Sequence, residues 1–445
     1  MATTITPKIV NLTAVLTAAP TPSQLQASGA LVSVGGTTLP VGTYQYCGTL
    51  ATVQSLLQTT GTGNYAELTN MATTFFAQGT GVGVYLLELG YNAVLDTQIA
   101  SLQTWITNNP GLFYAYLVPA DWDYSKDEVG SVTITNGGSG YTAAPTVTFS
   151  APTSGTTATG TAIIQNGAVV SVTITNPGNG YTAAPTVTFS APTSGTTATG
   201  TANLASAISI VAGDYSSPTG KTYFFSTTTT ATIANYETNK ASFTFVPAPT
   251  APSTEFGAAF PFYQFLVNNP SASNRLAPMG YRYGYGVTAW PASGQSTNIT
   301  NVLTDYGNLI ITGAEGGISE NCLFKGTTAD GTQASWWYGI DWFQIQVKQA
   351  LAAAILNGSN SNPPLLYDQN GINTLQKVAQ NVADSAVAFG CALSATVSAT
   401  PFGTYTTENP TNYAAGIYNG LSATVVGQNG FITITFALDA VTFVA

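Results

Sequence analysis

The chain has 445 residues with 9 Lys or Arg, 19 Asp or Glu and no histidine, a net charge of −10 at pH 7 and a charged fraction of 6%. Typical soluble proteins are about a quarter charged, and the missing histidine removes the commonest general base near neutral pH, the Ser–His–Asp arrangement and most zinc sites. The acidic balance excludes a surface built to grip a nucleic-acid backbone, which needs clustered Lys and Arg.

With 44% hydrophobic and 11% aromatic residues the chain can bury sizeable cores, and its length suits two or three domains. Cys47, Cys322 and Cys391 lie too far apart for a disulfide framework or a metal-ligand spacing and read as buried thiols. The opening MATTITPKIV has no basic segment leading into an apolar one, so no signal peptide is expected, and no run of 18 apolar residues is present to span a membrane. A surface of Thr, Ser, Asn and Gly is poor at charge-based solubility. It suits a protein whose surface is covered by neighbours.

In chain order, residues 8–16 read as a short extended stretch after Pro7. Residues 65–78 are helical in pattern, with Leu68, Met71, Ala72, Phe75 and Phe76 on one face and Gly79 as the stop. Residues 82–89 form an apolar run of strand length, 92–108 place Leu95, Ile99, Leu102 and Ile106 at helical spacing, and 112–118 are a second buried strand.

The chain then repeats itself with a period of 40: SVTITNGGSGYTAAPTVTFSAPTSGTTATGTA at 131–162 returns at 171–202, with Gly137 answered by Pro177 and Ser139 by Asn179. Val170, Val172 and Ile174 alternate with Ser171 and Thr173, the pattern of a half-buried strand. Asn166-Gly167 between two apolar pairs predicts a two-residue hairpin. No charged residue lies between Ser131 and Ala212.

Residues 222–226, 231–240 and 242–246 resume the strand–helix–strand rhythm. From about 331 the chain turns mostly helical, with segments 337–356 and 372–389 separated by Asn362-Pro363-Pro364. At 431–444, Ile432, Ile434, Phe436 and Leu438 alternate with Thr433, Thr435, Ala437 and Asp439, a strand that needs a partner for its backbone. The expected fold class is α/β (α+β overall). A discontinuous α/β core with a largely parallel sheet (26–128 and 213–330) carries an inserted all-β repeat module at 129–212. A mostly helical C-terminal domain (331–430) follows, and extended strand-like arms stand at 1–25 and 431–445.

Catalytic motifs are weak. Gly220-Lys221-Thr222 imitates the end of a phosphate-binding loop, but Tyr215 stands where the first glycine belongs and strand-like Tyr223-Phe224-Phe225 follows. Gly61-Thr-Gly63-Asn-Tyr-Ala66 and Gly284-Tyr-Gly286-Val-Thr-Ala289 match a dinucleotide turn in their glycines, yet no strand precedes the first and the second reads as loop. Asp121, Asp123, Asp127 and Glu128 are the densest acidic group, suited to glycoside hydrolysis, to calcium or simply to a solvated loop. No Gly-x-Ser-x-Gly occurs. No enzymatic activity, cofactor or metal is expected.

The order of elements resembles the contractile tail sheath proteins of bacterial viruses. The stretch from Asn64 to Gly79, with its Phe75-Phe76 ending, then Gly83-Val-Tyr85-Leu-Leu-Glu-Leu, is similar to the family's helix, glycine turn and Val-Tyr strand. Thr52-Val-Gln-Ser-Leu-Leu57 upstream, and Asp341-Trp-Phe343 through Leu356 and Asp368-Gln-Asn-Gly371-Ile372 downstream, resemble further sheath segments. The family often has Arg at the end of its Val-Tyr strand, where this chain has Glu88-Leu89, and the family's Gly-Ala-Arg-Thr-like segment is not recognisable.

The resemblance implies a divergent sheath subunit, assembled in the host cytoplasm into a phage tail, without cofactor, nucleic acid or membrane insertion. Its partners would be further copies of itself, the tail tube protein, and baseplate and tail terminator proteins. It implies that Lys8, Ile9, Val10 and Leu12, with Ile432, Ile434, Phe436 and Leu438, add strands to adjacent subunits; pairing within the subunit is the alternative. It makes Lys348 and Lys377 candidate contacts to an acidic tube, or else solvated helix charges, and turns the repeats outward. An extracellular adhesin or surface-layer protein built on Thr/Gly-rich β repeats is the competing reading. Without histidine, stability is expected to be nearly flat from pH 6 to 8.

Overall fold

The computed structural model describes residues 22–93, 95–123, 125–178, 180–273, 275–291, 293–313 and 320–431. A 3-10 turn (Pro22–Ala27) leads into β1 (Gly29–Ser33), β2 (Tyr44–Cys47), α1 (Leu50–Leu56), α2 (Tyr65–Ala77), β3 (Val84–Glu88), α3 (Leu95–Asn108) and β4 (Ala115–Leu117). The repeats supply β5 (Ser125–Asn136), β6 (Val147–Phe149), β7 (Thr159–Gln165), β8 (Ala168–Asn176), β9 (Val187–Phe189) and β10 (Thr199–Ser206). Then come α4 (Ala207–Asp214), β11 (Tyr223–Thr227), β12 (Ser242–Phe245), α5 (Ala259–Leu266), α6 (Pro270–Ser273), α7 (Ser296–Thr304), β13 (Leu309–Gly313) and β14 (Glu320–Phe324). The chain continues through α8 (Ala334–Ser359), α9 (Gln369–Ala388), β15 (Ala392–Ala399), α10 (Phe402–Glu408), α11 (Pro410–Ala414) and β16 (Leu421–Gly427).

Six strands make the central sheet in the order β12-β11-β4-β1-β3-β2. All its pairings are parallel except β2 with β3. Alternate residues of each strand point to opposite faces, so the sheet feeds two cores. Leu31, Leu86, Leu117 and Phe225 pack with Leu68, Met71 and Phe75 of α2 and with the phenylalanines of α5. Val32, Leu87, Tyr116 and Phe224 pack with Ile99, Leu102 and Trp105 of α3 and Val211 of α4 on the other face. Helices on both faces explain why the strands read as continuous apolar runs.

β4 and β11 are neighbours in the sheet although the repeats intervene, with Ala115 opposite Tyr223. Inside the repeats, β5 pairs β10, β6 pairs β9 and β7 pairs β8, so every ladder joins one repeat to the other. Bridges Thr146–Thr161 and Thr186–Thr201 connect β6 to β7 and β9 to β10. Val129 N donates to Pro177 O and Val169 N to Gly137 O, both at 2.8 Å, which connects β5 to β8. The result is a ring of six strands, and Tyr141, Phe149, Val169, Tyr181 and Phe189 are buried within it. Asn166 (φ 52°) and Gly167 (φ 78°) form the tight hairpin between β7 and β8; positive φ at both central residues is what Asn-Gly supplies.

Two local expectations change. Residues 231–240 contain only a 3-10 turn, Ile233–Tyr236, because Thr238 takes a left-handed φ of 72° and donates its N–H to Ala329 O. The helical pair α8–α9 is followed by an antiparallel hairpin, β15–β16. Its strands, ALSATVSA and LSATVVG, set the strand formers Thr and Val among Ala and Ser, which dilute the signal.

Candidate assembly surfaces

The helical segment is fastened to the sheet by buried charge. Asp341 on α8 is fully buried and accepts from Tyr114 Oη (2.9 Å) and Tyr223 Oη (2.7 Å), two tyrosines of the sheet. Its other oxygen lies 3.7 Å from Lys240 Nζ. Lys240 donates to the carbonyls of Ser217, Pro218 and Gly220 and sits 4.4 Å from the centre of the Trp337 ring. Burial pushes the Asp341 carboxyl up and the Lys240 ammonium down, while each charge opposes the other's shift. Removing one partner would strand the other, which makes this a strong clamp rather than a soft contact. The sequence clue is a lone Asp inside the aromatic helical run Trp336-Trp337-Tyr338-Gly-Ile-Asp341-Trp342-Phe343.

The glycine motifs serve the fold. Lys221 donates to Gln344 Oε1 on α8 at 2.7 Å. Burial holds its ammonium below the usual lysine range against the pull of Asp341, with Lys240 and Lys348 adding to the depression. A Cβ at Gly63 would run into the carbonyl of Gly35, so Gly63 lets the loop before α2 lie on the loop after β1. Glu88 is buried at the end of β3. It accepts from Ser33 Oγ, the amides of Gly35, Thr37 and Gly90, and Thr37 Oγ1, at 2.6–3.1 Å. A carboxylate of the chain itself thus takes the amides of the loop after β1, at the carboxyl ends of the parallel strands where open α/β sheets place ligands.

A cleft of about 310 Å³ beside the ends of β4, β11 and β12 is lined by Glu67, Asn70, Ala120, Thr227 and Glu255, among others. Burial pushes Glu67 up to about 7, with the Ala120 amide opposing and Asp121 adding to the shift. A titrating group therefore falls inside the window expected to be flat. Glu255 has both oxygens engaged by Thr288 (2.9 and 2.6 Å). Of the acidic group, Asp123 is held by Thr232 Oγ1 (2.8 Å) and Tyr236 Oη (3.0 Å), Asp121 lies on the 3-10 turn Ala120–Trp122 with its carboxyl raised by burial, and Glu128 is half-buried on β5. Among the described residues no three His, Cys, Asp or Glu side chains group as metal ligands.

The two edges of the β15–β16 hairpin differ. Val397 of β15 donates its N–H to Gln380 Oε1 (2.8 Å) and its carbonyl accepts from Gln376 Nε2 (3.1 Å), so two glutamines one helical turn apart on α9 cap that edge. Thr400 N bonds Gly420 O, so even-numbered backbone groups of β15 face β16, and on β16 those of Ala423 and Val425 face outward. Among the described residues no hydrogen bond reaches Ala423 or Val425 from that side. Around the edge, Leu393 and Val426 are exposed. Gly430 is tied to Gln333, at the N-terminus of α8, by bonds of 2.7 and 3.0 Å.

Lys348 is exposed on α8 and Lys377 on α9, helices that pack on each other through Trp342, Phe343, Ala379 and Ala383. Lys8, Ile9, Val10, Leu12, Ile432, Ile434, Phe436 and Leu438 lie outside the described residues. The capping glutamines and the open β16 edge escaped sequence reading. Their one signal was the i, i+4 spacing of Gln376 and Gln380.

No protein-family model and no curated protein matches the chain. Among solved structures, a chain of the anti-feeding prophage baseplate, a 6-fold symmetrised assembly, aligns with a TM-score of 0.56 at 10% identity, covering 94% of each chain. A sheath tail protein from Listeria innocua aligns at TM-score 0.37 and 10% identity, covering 84% of this chain and 88% of its own. A sheath tail protein from Desulfitobacterium hafniense aligns at TM-score 0.35 and 9% identity over 85% and 91%. At 10% identity the first likeness is one of fold: the chain shares the fold of that baseplate chain along nearly its whole length.

Proposed function

We propose that the chain is a structural subunit of a contractile phage tail sheath. It polymerises around the tail tube through terminal strands given to neighbouring copies, and contracts to drive the tube through the host envelope. The observation that carries this reading is the open outer edge of β16 beside the capped edge of β15. An unpaired edge is a template for one more strand, and residues 8–12 and 432–438 have the alternation to supply it. Gly430, two positions before the second of these segments, bonds to Gln333 at the start of α8.

The charge-poor surface supports the same reading, since many copies can pack without repelling one another or burying unpaired ions. Lys348 and Lys377, exposed on adjacent helices, are the proposed contacts to an acidic tube. Baseplate and tail terminator proteins would meet the two ends of the polymer in the virion, after assembly in the host cytoplasm. The work of contraction would come from rearranged subunit contacts rather than from a nucleotide. Electron microscopy of the purified chain is expected to show helical tubes or rings, and the chain lacking 431–445 is expected to remain monomeric. Monodisperse monomers of the intact chain at high concentration would overturn the proposal.

A further inference from the structure

The repeat module holds an internal two-fold relation. Thr148 and Thr188, which are 40 positions apart, face each other at the middle of the β6–β9 ladder. Contacts on either side come in matched pairs. Ala158 N donates to Tyr181 Oη at 2.8 Å and Ala198 N to Tyr141 Oη at 2.9 Å. Thr159 Oγ1 meets Thr175 Oγ1, and Thr135 Oγ1 meets Thr199 Oγ1, each at 2.8 Å. A Cβ at Gly140 would strike the Ser194 carbonyl, and one at Gly180 the Ser154 carbonyl. Each of these joins a residue of one repeat to a residue of the other. Within residues 131–170 only short pairings are internal, namely the bridge Thr146–Thr161, the pairs Ile164–Val169 and Gln165–Ala168 beside the turn, and the bonds from Val169 N to Gly137 O and from Tyr141 N to Gly167 O; the rest of every ladder crosses to the other repeat.

Such a pattern is isologous: the same surface on both halves, complementary to itself. A segment of about 40 residues buries too little to fold alone, and here its aromatic residues Tyr141 and Phe149 are enclosed only by combining them with Tyr181 and Phe189. We propose that one repeat is a self-complementary, strand-exchanging unit whose partner is a second copy of itself, a homodimer that this chain supplies in cis by duplication. With two repeats the ring closes inside one chain and its pairing surfaces are used up. With one repeat the same surfaces join two chains. The proposal does not rest on the sheath reading.

Among the described residues the six strands of the module pair only with one another and share a core drawn from residues 129–204, so the 125–206 segment is a closed folding body that can be studied by itself. A peptide of residues 131–170 is expected to be unfolded when dilute, and to gain β-structure by circular dichroism as concentration rises, sedimenting at twice its own mass. The 125–206 segment is expected to be a folded monomer whose spectrum ignores concentration. A peptide that folds as a monomer, or stays unfolded at every concentration, overturns the proposal. In the full chain, Thr148→Cys with Thr188→Cys tests the two-fold itself. Opposed residues of a hydrogen-bonded antiparallel pair have Cα atoms about 5.5 Å apart, within disulfide reach. Diamide, taking up the two thiol hydrogens, should close an internal disulfide, while Thr188→Cys alone should give neither an internal nor an interchain bond. Failure of the double variant to close, or linked chains from the single one, would remove the pairing on which the inference stands.

Discussion

The repeat module and the C-terminal hairpin are both antiparallel β-structures made of small, uncharged residues, yet they treat their edges in opposite ways. In the module every strand has a neighbour on each side, through ladders, bridges or the β5–β8 hydrogen bonds, and the ring presents no template to another chain. In the hairpin one edge is capped by Gln376 and Gln380, and at the other, at Ala423 and Val425, no partner is found among the described residues. Composition does not separate the two regions; closure does. The closed one is suited to decorate a surface and the half-open one to build a polymer.

The sharpest way to break this comparison is to spoil the open edge. Ala423 is exposed and its N–H points away from β15, so Ala423→Pro should leave the hairpin folded while blocking strand addition. Assembly, followed by sedimentation and electron microscopy, should be lost, with little change in the melting temperature of the monomer. Wild-type polymers from this variant would show that the edge is not used.

The next largest effect tests the closed region. Gly140 and Gly180 have φ of 82° and 83° and each lies against a carbonyl of the other repeat. Gly140→Ala and Gly180→Ala should each destabilise the module by roughly 2–4 kcal/mol, through strain and collision. Hydrogen exchange of the module amides should report equal losses, with assembly intact. Unequal losses would break the two-fold relation.

Gln380→Leu turns the comparison round by uncapping the closed edge of the hairpin. Val397 N–H loses its acceptor, at a cost of about 1 kcal/mol. A second open edge should then appear, read as branched or disordered polymers by electron microscopy. Polymers of wild-type form would mean the glutamines do not guard that edge.

The smallest effect is one of pH, and it separates the core from the module. Glu67 has its pKa raised from 4.5 to about 7 in the folded chain. The folded state therefore holds this proton more tightly than the unfolded one, so stability falls as pH rises through that interval, by no more than about 1.4 kcal/mol per pH unit. Glu67→Gln should flatten the slope in thermal melts taken from pH 4.5 to 7. Residues 131–212 contain no charged side chain, so local opening of the module amides, measured by exchange, should not follow it.

Much of the scaffold was legible because it rests on local rules. The apolar spacing of Leu68, Met71 and Phe75, the strand run ending at Glu88 and the Asn166-Gly167 turn each carry their conformation in a few neighbouring residues. The strands β15 and β16 were not legible, since their Thr and Val are diluted by Ala and Ser, and packing against α9 adds what the local pattern lacks. Nor was the Lys240–Asp341 clamp, whose members are 101 positions apart.

What the sequence by itself determined was the alternation of elements, the duplication and the turn between its halves. Only the tertiary structure decided which strand pairs with which. Two nearly identical repeats offer the same period-2 pattern to every partner, so their sequence cannot say whether a strand turns back on its own repeat or crosses to the other. Closure of a ring around one shared core chooses the crossing, because that arrangement pairs the backbone of all six strands while burying the aromatic residues of both repeats. Which edge of the hairpin is capped is decided in the same way, by glutamines of a helix 15 to 21 positions from the β15 residues they bond rather than by anything in the strand itself.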